Sequence, residues 1–274
     1  MGKVLIIDVA KCNGCYNCQI VCKDEHVGND WTPIAKPQPD TGQFWTHVEE
    51  ITRGSVPKVK MAYMHSICQQ CDDAPCMKAC GAKAIYKRPD GIVIIDPTKC
   101  QGHRNCIDAC PYKGVIYFNW DLNIAQKCTM CAHLLDRGWK ETRCSEACPT
   151  GAYTFGEEED LKELISKAEV LHPEYKTKPR VYYMNIPKKF IAGAVYDLEA
   201  DECLEGVMVS ITNTKTSKRQ SLKTDNYGDF WFEKLEVGTF DLTVKKAGYL
   251  PQEMKAISTE KDTNVGDIKL YKKV

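Results

Sequence analysis

The last third of the chain alternates apolar and polar residues in short runs. Val207, Val209 and Ile211 form one, Phe230 and Phe232 another, and Phe240, Leu242 and Val244 a third. A period of two puts every second side chain on one face of a strand, and turn residues at Asp225 to Gly228, at Gly238 and at Gly248 separate the runs. The rhythm predicts a small all-β antiparallel sandwich or barrel of about seven strands. Just upstream the period changes. Leu161, Leu164, Ile165, Ala168 and Leu171 recur at helical spacing behind the acidic run that begins at Glu157, and Pro173 closes that helix. A domain boundary is expected near Lys188, dividing the chain into 1–188 and 189–274.

The first part carries an internal repeat. Ala79-Cys80-Gly-Ala-Lys-Ala-Ile-Tyr, Ala109-Cys110-Pro-Tyr-Lys-Gly-Val-Ile-Tyr and Ala147-Cys148-Pro-Thr-Gly-Ala-Tyr-Thr-Phe are three versions of one unit, a cysteine and a turn followed by a β-rich run. A fourth, ending at Cys22, diverges more. Repetition of this kind in an α+β pattern predicts tandem bacterial-ferredoxin-like units.

Of the 16 cysteines in 274 residues, all but Cys203 lie between Cys12 and Cys148. No apolar signal-type core precedes Asp8, there is no twin arginine, and no run approaches the roughly 18 apolar residues of a membrane span. A cytoplasmic protein with reduced thiols is therefore expected, and disulfides are disfavoured. Lys plus Arg and Asp plus Glu balance at 37 each, so no net field draws the chain to nucleic acid or a membrane surface.

The cysteines fall into four groups: Cys12, Cys15, Cys18 with Cys22; Cys68, Cys71, Cys76 with Cys80; Cys100, Cys106 with Cys110; and Cys128, Cys131, Cys144 with Cys148. The first fits C-x2-C-x2-C-x3-C, the spacing in which three thiolates on a tight loop hold one [4Fe–4S] cubane and the fourth reaches a neighbouring one. Zinc knuckles contribute two ligands each and have no use for triplets followed by a fourth cysteine. Gly14 and Gly102 let backbone amides approach the sulfides, and hydrogen bonds of that kind ease the reduction of a buried anion. In the third group His103 stands where the second cysteine belongs. A His-ligated cubane, a three-iron cluster and an empty slot are all open; as an ordinary surface or core residue, His103 means no fourth cluster. Cys203 reads as a small buried hydrophobe. Trp31, Trp45 and the prolines at 33, 37 and 39 lie in the long connection from Cys22 to Cys68, which either meets a partner or covers the clusters.

Cys68-Gln-Gln-Cys71-Asp-Asp-Ala-Pro-Cys76, Asp90-Gly91-Ile-Val, Cys110-Pro-Tyr and Lys127-Cys128-Thr-Met-Cys131 with its long gap to Cys144 resemble the iron–sulfur subunits of molybdopterin oxidoreductases of the dimethyl sulfoxide reductase family. The resemblance covers residues 1 to about 187. It implies that the first group pairs with the fourth and the second with the third. Cys12, Cys15, Cys18 and Cys148 would hold one cluster, Cys22, Cys128, Cys131 and Cys144 a second, and Cys68, Cys71, Cys76 and Cys110 a third. Cys80, Cys100, Cys106 and His103 are left for an altered slot. Gly81 also replaces the family's usual proline there, so three [4Fe–4S] clusters are expected and the slot is expected to be empty. The resemblance further implies a large catalytic partner carrying molybdenum bis-molybdopterin guanine dinucleotide, with no active site in this chain. Residues from Gly193 onward resemble the transthyretin-like carboxypeptidase-regulatory modules, a binding or packing element. Two competing readings are a free-standing polyferredoxin, which would not need the long insertion or the β-domain, and a catalytic iron–sulfur enzyme, for which His103 is the sole candidate.

Overall fold

The computed structural model describes residues 2–273. They form two compact units: one runs to Ile51 and resumes over Ala62–Ile186, and the other comprises Thr52–Met61 and the chain from Pro187 onward.

The first unit is built mostly from short strands. Strands β1 (Lys3–Asp8), β8 (Tyr153–Glu157) and β9 (Val181–Met184) form its only three-stranded sheet among the described residues, in the order β8-β1-β9, antiparallel on one side and parallel on the other. The other strands pair as hairpins: β2 (Thr46–Ser55) with β3 (Lys58–Ile67), β4 (Ile85–Lys87) with β5 (Val93–Ile95), and β6 (Ile116–Asn119) with β7 (Ile124–Lys127). The helices are short: α1 (Asn17–His26), α2 (Pro75–Lys78), α3 (Asn105–Ala109), α4 (Ala132–Leu135), α5 (Arg143–Glu146) and α6 (Lys162–Ser166). None among the described residues is long and apolar enough to cross a membrane. The core joins Leu5, Ile7, Ile67, Ile92, Ile94, Met130 and Tyr183 to Cys18, Cys22, Cys68, Cys128 and Cys144, so the thiols are part of the packed interior.

The helix expected from Glu157 to Leu171 is corrected to five residues, α6. Glu157 is instead the last residue of β8, paired with Lys3, and Glu169 exchanges two backbone hydrogen bonds with Tyr183. Two long-range pairings clip the ends of a segment whose local preference is helical.

The second unit is a two-sheet β-sandwich of strands β10 (Lys189–Asp197), β11 (Glu202–Cys203), β12 (Met208–Asn213), β13 (Arg219–Lys223), β14 (Asp229–Leu235), β15 (Thr239–Lys245), β16 (Gln252–Ser258) and β17 (Thr263–Leu270). One sheet runs β11-β10-β14 with β17 also on β10, the other β13-β12-β15-β16, and no barrel closes among the described residues. The arrangement departs from all-antiparallel at β10, which pairs parallel with β17. The predicted apolar runs are its core: Val207, Val209, Ile211, Phe230, Phe232, Phe240, Leu242 and Val244 are all buried. Arg53, from the tip of the β2–β3 hairpin, makes a two-pronged ion pair with Asp262 (3.0 and 2.7 Å). Cys203 is exposed, correcting its reading as a buried hydrophobe. It lies on β11, a two-residue edge strand both of whose side chains face solvent.

Candidate metal centres

Each cysteine group has the same local scaffold. The last cysteine but one in each group is the second residue of a short helix: Cys18 in α1, Cys76 in α2, Cys106 in α3 and Cys144 in α5. The loop before it takes left-handed backbone where the chain must curl. Gly14 has φ +72° and Gly102 φ +71°, while Tyr16 and Arg104, preceding their helices, have φ 58° and 60°. At Gly14 the loop also passes so close to Tyr63 that a Cβ would lie 2.3 Å from its ring. The α5 group replaces the tight loop with a capping box, in which the Thr142 hydroxyl accepts from the Ser145 amide and the Ser145 hydroxyl accepts from the Thr142 amide.

Cysteines far apart in sequence come together. Burial, and then the proximity of Cys128, Cys131 and Cys144, holds the Cys22 thiol well above its ordinary range. Burial raises Cys18 to about 11 against a hydrogen bond from Tyr153, and Cys12 and Cys148 add to the rise. Cys12 in turn senses Cys148 and Cys15. Burial pushes Cys110 up to about 12, with Cys68, Cys76 and Cys71 contributing. Cys106, raised by burial to about 11, faces Cys100, Cys76 and Cys80. His103 is exposed and makes no hydrogen bond, ion pair or ring contact among the described residues.

Contacts also run between the sets. Cys144 senses Cys18, Cys128 senses Cys68, and Cys106 senses Cys76. The thiol sets thus form a file, from Cys12/Cys15/Cys18/Cys148 through Cys22/Cys128/Cys131/Cys144 and Cys68/Cys71/Cys76/Cys110 to Cys80/Cys100/Cys106.

The donor set fits iron–sulfur cubanes. All these cysteines are free thiols, and among the described residues no three His, Cys, Asp or Glu side chains converge closely enough for a single metal ion. Four such thiols gathered from two cysteine groups suit a multi-iron core, whose positive charge would stabilise them as thiolates. Cys22, Cys128, Cys131 and Cys144 line one cavity with Trp45, His26 and Thr46, and Trp45 is 1% exposed, so the insertion covers this space. Backbone amides already point at sulfur: Met130 to Cys128 (3.4 Å), Arg143 to Cys131 (3.5 Å), Ala152 to Cys148 (3.3 Å) and Ala125 to Cys100 (3.5 Å).

Several residues around the thiols are not evident from the sequence. Tyr153 connects Cys18 to His65, its hydroxyl 2.6 Å from His65 Nδ1. Its signal was its place in the third repeat, five residues after Cys148. Gln70 donates to the Cys128 carbonyl (2.9 Å) and accepts from the Val93 amide (2.8 Å), binding two cysteine loops together. Its signal was a polar residue inside a Cys-x-x-Cys loop that is otherwise interior.

Residues 59–158 match the 4Fe-4S dicluster domain, and residues 191–271 match the carboxypeptidase regulatory-like domain. The small subunit of pyrogallol hydroxytransferase from Pelobacter acidigallici is 38% identical over 97% of this chain and 98% of that one. ArrB, the iron–sulfur subunit of arsenate respiratory reductase from Shewanella sp., is 30% identical over 66% of this chain and 94% of that one. A tetrathionate reductase subunit from Salmonella typhimurium is 31% identical over 68% of this chain and 74% of that one. Among solved structures, 5-hydroxyisourate hydrolase from Klebsiella pneumoniae is 15% identical over 31% of this chain and 100% of that one, at a TM-score of 0.26. With its cysteine scaffold and these relatives, the chain belongs to the iron–sulfur electron-transfer subunits of the dimethyl sulfoxide reductase family of molybdopterin oxidoreductases.

Proposed function

We propose that this chain is the electron-transfer subunit of a cytoplasmic molybdenum transhydroxylase that converts pyrogallol to phloroglucinol. Its partner is a large subunit that holds molybdenum through two molybdopterin guanine dinucleotides. The observation that carries this reading is the extent of the likeness to the pyrogallol hydroxytransferase small subunit. It takes in 97% of the chain, and therefore the β-domain, whereas the arsenate and tetrathionate reductase relatives match 66% and 68%. The cluster-bearing domain is 1–188, and 189–274 is a transthyretin-like packing module.

In this reading three [4Fe–4S] clusters supply one-electron storage. Cys12, Cys15, Cys18 and Cys148 hold the first, Cys22, Cys128, Cys131 and Cys144 the second, and Cys68, Cys71, Cys76 and Cys110 the third. The altered slot of Cys80, Cys100, Cys106 and His103 is empty. The chain's residues fix the thiolates, aim amides at sulfur and keep water out. Moving a hydroxyl between trihydroxybenzenes changes no overall oxidation state, so the subunit's task is to bring the molybdenum to its working state.

The test is composition and activity of the purified complex. A heterodimer with transhydroxylase activity, molybdenum and about twelve irons per small subunit is expected. A cluster-loaded monomer with no partner, or a fourth cubane whose EPR signal changes in His103→Cys, would contradict it.

A further inference from the structure

Lys127 ends β7 and is 2% exposed. Its ammonium donates to the Val93 carbonyl and, at 3.1 Å, to the Cys128 carbonyl. The other buried lysine and the buried aspartates all have ionic partners: Lys58 pairs with Asp229, Asp96 with Lys99, and Asp197 with Lys272. Lys127 pairs with no carboxylate among the described residues. Two carbonyl dipoles accept from two of its three donors but leave its charge uncompensated, and an uncompensated interior charge is strongly unfavourable. The groups that become anionic around it are the cysteine sulfurs, once they ligate a cluster as thiolates. Its ammonium rests on the Cys128 carbonyl in one set, and its other acceptor, Val93, donates its amide to Gln70 in the Cys68–Cys71 loop of the next. Gln70 grips the same two residues, Val93 and Cys128, so the ammonium sits in a rigid frame.

We propose that Lys127 is an internal counter-cation shared by the Cys22/Cys128/Cys131/Cys144 and Cys68/Cys71/Cys76/Cys110 clusters, positioned to raise both of their reduction potentials. This rests on the ligand sets given above. Each reduction adds negative charge to an anionic centre, and a fixed cation between two such centres favours the reduced state of both. Both of the Lys127 hydrogen bonds lie outside the Cys12/Cys15/Cys18/Cys148 set, whose cluster serves as the internal control.

The experiment is an EPR-monitored redox titration of the intact heterodimer carrying Lys127→Met, Lys127→Gln or Lys127→Arg, with iron and sulfide counted in each. In the two neutral variants the midpoints of the flanking clusters should fall. The expected size is about a tenfold change in the reduced-to-oxidised ratio at fixed applied potential, or about 59 mV for one electron. The first cluster should hold its midpoint, and Lys127→Arg should stay near wild type. If the neutral variants lose the flanking clusters while Lys127→Arg keeps them, the cation is what retains the anionic centres, which supports the proposal. Full loading with unmoved potentials, a uniform shift of all three clusters, or cluster loss in Lys127→Arg as well would each overturn it. Wild-type protein lacking these two signals would refute the ligand sets instead.

Discussion

Replacing Tyr153 by Phe removes one oxygen from a site where two buried partners depend on it. The hydroxyl lies 2.6 Å from His65 Nδ1, and it also hydrogen-bonds Cys18. His65 is 2% exposed, and its Nε2 has no partner among the described residues, so after the substitution neither ring nitrogen is satisfied. A neutral hydrogen bond contributes about 1 kcal/mol net, and stranding a buried polar group costs about 1–3 kcal/mol. Retention of the phenyl ring leaves packing unchanged and the stranding penalty takes the place of the net bond value, so the substitution should cost about 1–3 kcal/mol in all. Losing a donor to the Cys18 sulfur should also lower the midpoint of the cluster proposed for Cys12, Cys15, Cys18 and Cys148. The assay is bleaching of cluster absorbance in guanidinium, read beside an EPR redox titration. A cost of about 2 kcal/mol corresponds to about a thirtyfold faster loss if it falls wholly on the unfolding rate. Adding His65→Leu removes the stranded partner and should restore part of the lost stability, though not the potential. Unchanged bleaching together with an unchanged midpoint would refute the reasoning.

Burial lowers His65 from 6.5 to about 4, so the unfolded chain binds the extra proton first. Stability should therefore fall as pH drops from 6.5 toward 4, by about 1.4 kcal/mol per unit, and bleaching rates across that window should flatten in His65→Gln. A Cβ on Gly193 would lie 2.7 Å from Val265 Cγ2 and 2.8 Å from both the Gly266 carbonyl and Phe230. Gly193→Ala should thus destabilise the β-sandwich by about 1–3 kcal/mol, seen as a lower calorimetric midpoint with unchanged EPR spectra. Cys148→Ser should disturb the same EPR centre as Cys12→Ser, and Cys22→Ser the same centre as Cys144→Ser; different centres within either pair would disprove that ligand set.

The strands of the β-sandwich were legible because each apolar run reports one buried face, and Val209, Ile211, Leu242 and Val244 are all buried as the alternation requires. The cysteine scaffold was legible because three thiols on one loop constrain spacing, and Gly14 and Gly102 mark where the loop must curl. What failed depended on partners remote in sequence. The helix from Glu157 lost its first turn to pairing with Lys3 and its last to Tyr183, neither of which a local period can sense. Cys203 misled because residue type was taken for burial, whereas its exposure follows from sitting on a sheet edge. The burial of Lys127 was equally hidden: all four residues of β7 are buried, so alternation carries no information there.

The loop around His103 keeps the curl of the first cysteine loop with a histidine in the second cysteine's place. Its backbone turns left-handed at the same two places as the first loop, with φ +71° at Gly102 for +72° at Gly14 and 60° at Arg104 for 58° at Tyr16. In the proposed assignment the first loop's curvature wraps thiolates around iron, so keeping it without the second cysteine requires other support. That support is present. A Cβ at Gly102 would lie 2.6 Å from the Asn123 side chain, and the Arg104 guanidinium lies over Phe118 and Trp120, 5.4 and 5.1 Å from their ring centroids. Those contacts tie the loop to the β6–β7 hairpin, whose far strand ends in Lys127 and leads directly into Cys128. The altered loop therefore buttresses the hairpin that leads into Cys128, a ligand of the second cluster in the proposed assignment. Selection on that support can preserve the loop's shape, and the interior thiol Cys106 beside Cys76, whether or not iron sits at His103.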